Sequence, residues 1–263
     1  MVDNRRWPRA PRGSCALGIM AKAPLAGHVK TRLVPPLTPD EAAALSLCSI
    51  RDTVANVAGV TSRERADGIA VYTPFGSERT FEDLLPKEFN LLPQDGPSLG
   101  ERLFNATETL LGLGYESVCL INADSPTLPS ELLSGALDAL AHSGDRVVLG
   151  PAEDGGYYLI GLKRAHRRLF ADIEWSTAKV LTQTLARASE LDLEVHLLPP
   201  WYDLDDAGTL ARLCDELFSP NGDHRQRGYA ATFTRDYLAR LIEKDGRERI
   251  WPEDVFSRSE PDR

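Results

Sequence analysis

Residues Ser117 to Pro129 read SVCLINADSPTLP, and this stretch decides the fold. Its apolar run, Val118 to Ile121, predicts a strand that is buried on both faces. The run leads to Asp124 and a turn, and an amphipathic helix is predicted to begin near Pro129. Open α/β sheets bind ligands at the carboxyl ends of their strands. Asp124 is therefore a candidate site residue, and capping of the following helix is the structural alternative.

The composition excludes several classes of protein. A net charge of −9 argues against a general binder of nucleic acid or of membrane surfaces, which would need a basic face. No run of apolar residues is long enough to span a membrane. The four cysteines show no metal-binding spacing, which predicts buried reduced thiols in a cytoplasmic protein. Residues 1–13 are predicted to form a disordered basic arm.

The rest of the chain alternates between strand and helix signals, as expected of one α/β domain over residues 14–218. Residues 219–263 are predicted to form a polar linker and a helical extension, which packs on this domain or on a second subunit of a homodimer. Further strands are predicted over 15–21, 68–73, 89–93, 146–151 and 193–198. Further helices are predicted from 38 to about 57, from 98 onward, over 177–191 with Ser176 as cap, over 207–218 and over 234–244.

A basic loop follows the first predicted strand. Its glycine, Gly27, can adopt a positive φ and turn backbone amides toward an anion. Lys30 and Arg32 would add charge-assisted contacts to phosphate oxygens, and Lys22 begins the same loop. A solvated basic loop is the alternative, but cations directly after a first strand in an acidic protein favour phosphate binding. Gln94, at the end of another predicted strand, is a candidate contact to a base or a ribose.

A second candidate segment follows the strand over 146–151. Asp154-Gly155-Gly156 is typical of a tight turn between strands. Its position beside the expected active edge favours a functional Asp154, because the glycines would let a ligand approach the backbone closely. Tyr157 and Tyr158 should face opposite sides of a strand, so at most one of them lines a pocket. We take Tyr158 as that residue.

A third acidic segment supplies candidate metal ligands. Asp203 and Asp205 are two residues apart, so in an extended chain they project to the same side. Together with Asp124 they could hold a hard cation through oxygen atoms alone, which fits Mg²⁺ or Mn²⁺. The structural alternative is that Asp205 or Asp206 caps the helix over 207–218.

With these residues in place, the chain resembles the nucleotide-diphospho-sugar transferase superfamily of GT-A fold. More closely it is similar to a bacterial group often labelled arsenosugar-biosynthesis-type glycosyltransferases. The similarity covers residues 15 to about 213. The matching pieces are Ala21-Lys-Ala-Pro-(x)2-Gly27-(x)2-Lys30-Thr-Arg-Leu33, Leu99-Gly-Glu-Arg102, Ala123-Asp-Ser-Pro126, Gly150-Pro-Ala-Glu-Asp-Gly-Gly-Tyr-Tyr-Leu-Ile-Gly161, Trp175-Ser-Thr177 and Asp203-Leu-Asp205.

The resemblance implies a Rossmann-like α/β fold, namely the GT-A three-layer sandwich with a mostly parallel mixed sheet. It implies a divalent metal carried by Asp124, with Asp205 or Asp203 as partner. Lys30 and Arg32 would meet the donor phosphates. One position departs from the pattern, because relatives often have Gly where this chain has Asn122.

By the same resemblance, Asp154, Gly155 and Gly156 would border the sugar or acceptor pocket. Asp124, Asp154 and Lys30 are the residues expected to carry catalysis.

Two reactions are compatible with this set of residues. A glycosyltransferase would move a sugar from a nucleoside-diphosphate sugar to a small-molecule acceptor. A nucleotidylyltransferase would join a nucleoside triphosphate to a phosphorylated small molecule and release pyrophosphate, and the lysine loop resembles the signature loop of such enzymes. We expect glycosyl transfer. A nucleotide-binding module without turnover is the third possibility, but it would not need three separately placed aspartates.

Overall fold

The computed structural model describes residues 15–219 and 228–252. Its centre is one seven-stranded sheet with the strand order β3-β2-β1-β4-β6-β5-β7. The strands are β1 (Cys15–Lys22), β2 (Ala66–Thr73), β3 (Asn90–Pro93), β4 (Ser117–Asn122), β5 (Arg146–Pro151), β6 (Tyr157–Leu162) and β7 (Glu194–Leu197).

The sheet is mostly parallel. β1 pairs in parallel with both β2 and β4, and β2 pairs in parallel with β3. β6 is antiparallel to β4 and to β5 because the tight turn after β5 sends the chain straight back. The carboxyl ends of β1, β2, β3 and β4 consequently meet at one edge, and the loops that follow these strands lie side by side.

Helices cover both faces of this sheet. They are α1 (Pro39–Thr61), α2 (Glu78–Glu82), α3 (Leu99–Gly112), α4 (Ser130–Ala141), α5 (Val180–Glu190), α6 (Ala207–Phe218), α7 (Thr232–Asp245) and α8 (Arg247–Ile250).

The strand β4 shows how the layers are built. Cys119 and Ile121 pack with α1 and α4 on one face, whereas Val118 and Leu120 pack with α3 and α5 on the other. All four side chains are at most 2% exposed. The predicted fold class, a Rossmann-like three-layer α/β sandwich with a mostly parallel mixed sheet, is confirmed.

Helix starts largely follow the sequence signals. Thr38 forms a capping box with Glu41 at the start of α1, and Ser98 accepts a hydrogen bond from the backbone of Glu101 at the start of α3. The prediction that Ser176 caps a helix over 177–191 is wrong. Ser176 has a φ of 62° and sits in the turn before α5, which begins only at Val180.

The C-terminal extension packs on its own chain. The carboxylate of Asp52 on α1 accepts hydrogen bonds from the backbone N–H groups of Phe233 and Thr234 and so caps α7. Leu238 and Leu241 of α7 belong to an apolar cluster with α1 and α6. The boundary of the domain at residue 218 and the homodimer stay predictions. The predicted arm over 1–13 and part of the predicted linker, 220–227, lie outside the described residues.

Candidate active site

A cavity of about 440 Å³ opens at the carboxyl edge of the sheet, where β1, β2 and β4 end. Its lining has a basic side, supplied mainly by the loop after β1, and an acidic side, formed by Asp124 and Asp205. Asn122, at the last position of β4, also belongs to the lining. The charged and amide-bearing lining residues are Lys22, His28, Lys30, Arg32, Gln94, Arg102, Asn122, Asp124 and Asp205.

The basic side is built by the loop after β1. Gly27 has a φ of 74°, which glycine adopts without strain. The ammonium of Lys22 donates a hydrogen bond of 2.8 Å to the carbonyl of His28 and closes the loop. Lys30 also has a positive φ, 49°, and a short 3₁₀ turn over Thr31–Leu33 follows it. These turns aim Lys30 inward, while the side chain of Arg32 stays 70% exposed at the cavity mouth.

The side chain of Lys30 contacts the acidic side of the lining and is only 5% exposed. Its ammonium forms an ion pair with Asp124 and lies 3.7 Å from a carboxylate oxygen of Asp205. It also donates a hydrogen bond of 2.6 Å to the carbonyl of Leu204. Lys30 is therefore a cation shared by two carboxylates that come from distant parts of the chain.

The two carboxylates keep partial access to solvent. The side chains of Asp124 and Asp205 are 47% and 37% exposed. Burial raises the pKa of Asp205, and the negative charges of Asp124 and Asp154 raise it further, whereas Lys30 and Arg32 lower it. Burial is the largest of these causes, and Lys30 is the strongest of the charges that act on Asp205.

Asp203 lies near this pair, since the negative charges of Asp124 and Asp205 help to raise its pKa, and its role as a metal ligand stays a prediction. One carboxylate oxygen accepts hydrogen bonds of 2.7 Å from the amide of Asn122 and 2.5 Å from the hydroxyl of Ser125. Burial raises the pKa of Asp203 to about 6. Across residues 15–219 and 228–252, no three carboxylate, imidazole or thiol side chains are arranged to hold a metal ion together. Asp206, the remaining acid of this segment, caps α6.

Gln94 and Arg102 complete the wall formed by β3 and α3. The side-chain amide of Gln94 donates a hydrogen bond of 2.8 Å to the carbonyl of Val71, which fixes its orientation at the edge of the cavity. Arg102 was absent from the predicted site, although the Leu99-Gly-Glu-Arg102 motif, which forms the first turn of α3, is the signal that could have found it. Its guanidinium donates a hydrogen bond of 2.8 Å to the carbonyl of Gly96 and adds a further cation to the lining.

The turn between β5 and β6 lies outside the lining of this cavity. The side chain of Asp154 accepts a hydrogen bond of 2.8 Å from the backbone N–H of Gly156 and is exposed. Gly155 has a φ of 91°, and a Cβ there would lie 2.3 Å from the carbonyl oxygen of Ala178. The glycines thus serve the close packing of this turn on the start of α5. The effect of Asp154 on the pKa of Asp205 nevertheless places it near the acidic side.

Tyr158 does not line a pocket, and that prediction is wrong. Its ring lies against Gly150, where an added Cβ would approach it to 2.3 Å, and the residue is 1% exposed. The hydroxyl donates a hydrogen bond of 2.9 Å to the carbonyl of Pro199. Alternation along β6 separates the two tyrosines as expected, but both faces of this strand are buried, so Tyr157 packs against Trp175 instead.

The molecule is an α/β protein with a mostly parallel sheet, and it places cations and carboxylates at the carboxyl edge of that sheet, where such proteins bind ligands. A structure from Desulfovibrio desulfuricans G20, provisionally described as a nucleotide-diphospho-sugar transferase, is 32% identical to this chain. The match covers 89% of this chain and 98% of that one, with a TM-score of 0.74. The chain belongs to the nucleotide-diphospho-sugar transferase superfamily, which confirms the predicted family and the predicted enzyme class, a transferase.

Other comparisons are weaker. A family model described as an uncharacterized protein conserved in bacteria (DUF2064) matches residues 56–177. A 4-diphosphocytidyl-2C-methyl-D-erythritol synthase from Anaerococcus prevotii DSM 20548 is 11% identical over 87% of this chain and 96% of its own, with a TM-score of 0.49. A cytidylyltransferase from Leptospira borgpetersenii serovar Hardjo-bovis is 11% identical over 93% and 98%, with a TM-score of 0.47. Likenesses this weak carry no information about the reaction. The search of curated proteins found no match.

Within the described residues, none of the helices is both long and apolar enough to cross a bilayer.

Proposed function

We propose that this protein is a metal-dependent glycosyltransferase that moves a sugar from a nucleoside-diphosphate sugar to a small-molecule acceptor. The observation that carries the proposal is the cavity at the sheet edge, because its lining combines several cations with two partly exposed carboxylates. A diphosphate needs the cations, and its metal ion needs the carboxylates. The 32% identical relative, described as a nucleotide-diphospho-sugar transferase, supports the choice of donor.

Asp124 and Asp205 are the residues that would hold Mg²⁺ or Mn²⁺. Magnesium is commonly bound in proteins by one or two carboxylates, with water and substrate phosphates as its other ligands. A pair of partly exposed carboxylates on an open cavity fits that requirement without a third protein ligand. When bound, the ion would offset the negative charge that develops on a departing nucleoside diphosphate.

The cations of the basic side of the cavity would orient the donor. Lys22, Lys30 and Arg32 are the proposed phosphate ligands, and Gly27 lets the loop curve toward the diphosphate. For Lys30 this requires its ammonium to exchange Asp124 for a phosphate oxygen, a short movement for a long side chain. Gln94 is the proposed contact to the base or the ribose, since its fixed amide lies at the cavity edge.

Asp154 is proposed to serve the acceptor, with Gly155 and Gly156 forming the turn that carries it. Its exposed carboxylate lies close enough to Asp205 to raise the pKa of that residue. In the proposed reaction the bond from the sugar carbon to the diphosphate oxygen breaks, and a bond to the acceptor oxygen or sulfur forms. A basic group near the acceptor would take the proton that the acceptor loses, and Asp154 is the candidate.

Nucleotidyl transfer is the second candidate, favoured by the inward position of Lys30. A phosphorylated acceptor would attack the α-phosphorus of a nucleoside triphosphate, and a lysine in the cavity suits the charge that accumulates on the phosphates. The cations of the basic side could also accommodate a triphosphate. Both reactions are expected in the cytoplasm, where four buried free cysteines would stay reduced.

The test is turnover with Mn²⁺ or Mg²⁺ against panels of nucleotide sugars and nucleoside triphosphates, followed by phosphorus NMR. Slow release of nucleoside diphosphate from one sugar donor, with water as acceptor, is the expected result. Pyrophosphate released from a triphosphate only when phosphorylated acceptors are added would establish nucleotidyl transfer instead. Binding without either product would support a nucleotide-binding module.

Asp124→Ala tests the role of Asp124 in the same assay. We expect it to abolish metal-dependent turnover and to retain the fold, because Asp124 is half exposed and caps no helix of the described chain. Retained turnover would remove Asp124 from the metal pair. Loss of folding would favour a structural role for this carboxylate.

A further inference from the structure

Asn122 occupies a position whose side chain can be oriented in only one way. Its carbonyl oxygen accepts a hydrogen bond of 3.2 Å from the backbone N–H of Asp124. Its amide nitrogen donates one of 2.7 Å to the carboxylate of Asp203. A backbone N–H can only donate and an ionised carboxylate can only accept, so the amide at this position must supply one group to each side.

Asp203 holds the other end of this arrangement. The oxygen that receives Asn122 also accepts the hydroxyl of Ser125, which is 4% exposed, at 2.5 Å. The next residue in the chain, Leu204, donates its backbone N–H to the carbonyl of Asp124 at 2.9 Å. Three contacts thus join the end of β4, the turn that carries Asp124 and the segment that carries Asp205.

We propose that Asn122 and Asp203 are positioning residues that hold the carboxylates of Asp124 and Asp205 in one relative arrangement. The proposal rests on the proposed function for the role of these two carboxylates. It assigns a positioning role to Asp203 because one of its carboxylate oxygens accepts hydrogen bonds from both Asn122 and Ser125, and a direct metal contact of Asp203 is the alternative that the experiments test. Groups that orient metal ligands typically change metal affinity 10–100-fold when they are lost.

The first experiment measures the affinity of the full chain for Mn²⁺ alone, by electron paramagnetic resonance. Asp203→Ala and Asp203→Asn remove the same negative charge, but only the asparagine keeps an oxygen that can accept from Asn122. We expect Asp203→Ala to weaken Mn²⁺ binding about 10–100-fold and Asp203→Asn to change it by less than about threefold. Equal losses in both variants would overturn the proposal, since they would indicate that the carboxylate itself binds the ion.

A double-mutant cycle tests whether the two residues act together. Asn122→Ala is expected to match the loss caused by Asp203→Ala, and the double variant is expected to lose no more than the larger single loss. Two residues that act through one hydrogen bond give non-additive effects, whereas independent residues give additive ones. Additive losses would overturn the proposal.

Hydrogen exchange of the Asp124 amide separates this proposal from the proposed function. This amide donates to Asn122, so its exchange should accelerate at least about tenfold in Asp203→Ala and in Asn122→Ala, and stay close to the wild-type rate in Asp203→Asn. If the wild-type protein binds no Mn²⁺, the metal dependence in the proposed function fails. The exchange rates alone then decide the positioning role, and unchanged rates in both alanine variants would refute it.

Discussion

Replacing Lys30 with methionine should move two affinities in opposite directions. The variant keeps most of the volume of a side chain that is only 5% exposed but removes the ammonium between Asp124 and Asp205. Because the lysine neutralises the same carboxylates that would hold a metal ion, its loss should tighten binding of Mn²⁺ alone. It should weaken binding of a diphosphate, because a proposed phosphate ligand is gone.

The size of both effects follows from the geometry. Two unit charges 3.7 Å apart, the separation of Lys30 and Asp205, interact by about 1 kcal/mol at the dielectric constant of water and by about 4 kcal/mol at a value near 20. Since both carboxylates are more than a third exposed, we take about 1 kcal/mol for each, or about 2 kcal/mol in all. That corresponds to Mn²⁺ binding about 30-fold tighter. Loss of one charge-assisted hydrogen bond, about 1.5–3 kcal/mol, predicts pyrophosphate binding about 10–150-fold weaker.

The assay is titration of Mn²⁺ by electron paramagnetic resonance and of pyrophosphate by calorimetry. Arg32→Met is the matched control for the metal, because it removes one positive charge from the same loop, but its side chain is 70% exposed and its ion pair, at 4.0 Å, is with Asp206. We expect it to tighten Mn²⁺ binding much less than Lys30→Met does, because an exposed charge is screened by solvent. Unchanged or weaker Mn²⁺ binding in Lys30→Met would refute the reasoning. Equal tightening in both variants would show that the net charge of the loop, and not the position of Lys30, sets the affinity.

Three further predictions concern the stability of the fold around the site. Leu238→Ala should lower the free energy of unfolding by about 2–5 kcal/mol, because this side chain is 0% exposed, whereas Phe233→Ala, at a residue 44% exposed, should cost less; urea unfolding measures both. Burial raises the pKa of Glu216 from its ordinary 4.5, so the folded state binds this proton more tightly and the stability falls as the pH rises through the window above 4.5. Glu216→Gln should remove this fall, and parallel pH profiles of unfolding for the two proteins would contradict it. Gly155→Ala should lower the melting temperature more than Gly27→Ala does. Both glycines have a positive φ, but only at Gly155 would a Cβ be forced against a backbone oxygen. Equal melting temperatures would refute this packing argument.

The sequence predicted the sheet well, because its strands follow from local patterns. A continuous apolar run identifies a strand buried on both faces, and residues directly after such runs fall at the carboxyl edge of the sheet. Asp124 reaches the cavity for this reason, whereas Lys30 and Asp205 lie on the longer loops that follow β1 and β7. These patterns do not encode which way a side chain turns within its segment.

Tyr158 was therefore misplaced, and the hydrogen bonds of Asp203 were missed. The rule of alternation put the two tyrosines of β6 on opposite faces, but it could not show that helices or loops cover both faces. The spacing of Asp203 and Asp205 put both carboxylates on one side of an extended segment, but it could not show that Asn122 and Ser125 both donate to one oxygen of Asp203. Such partners are distant in sequence, so no local pattern reports them.

The cluster beneath the site explains why cations and carboxylates from opposite ends of the domain share one cavity. Leu33, one residue after Arg32, and Leu204, one residue before Asp205, are both 0% exposed and belong to the same apolar cluster. Helices α6 and α7 supply most of the rest of it. The hydrogen bond from Lys30 to the carbonyl of Leu204 spans 174 positions of sequence, and it lies next to this buried contact. The helical extension therefore helps to hold the site in place, because it buries Leu33 and Leu204, the apolar neighbours of Arg32 and Asp205.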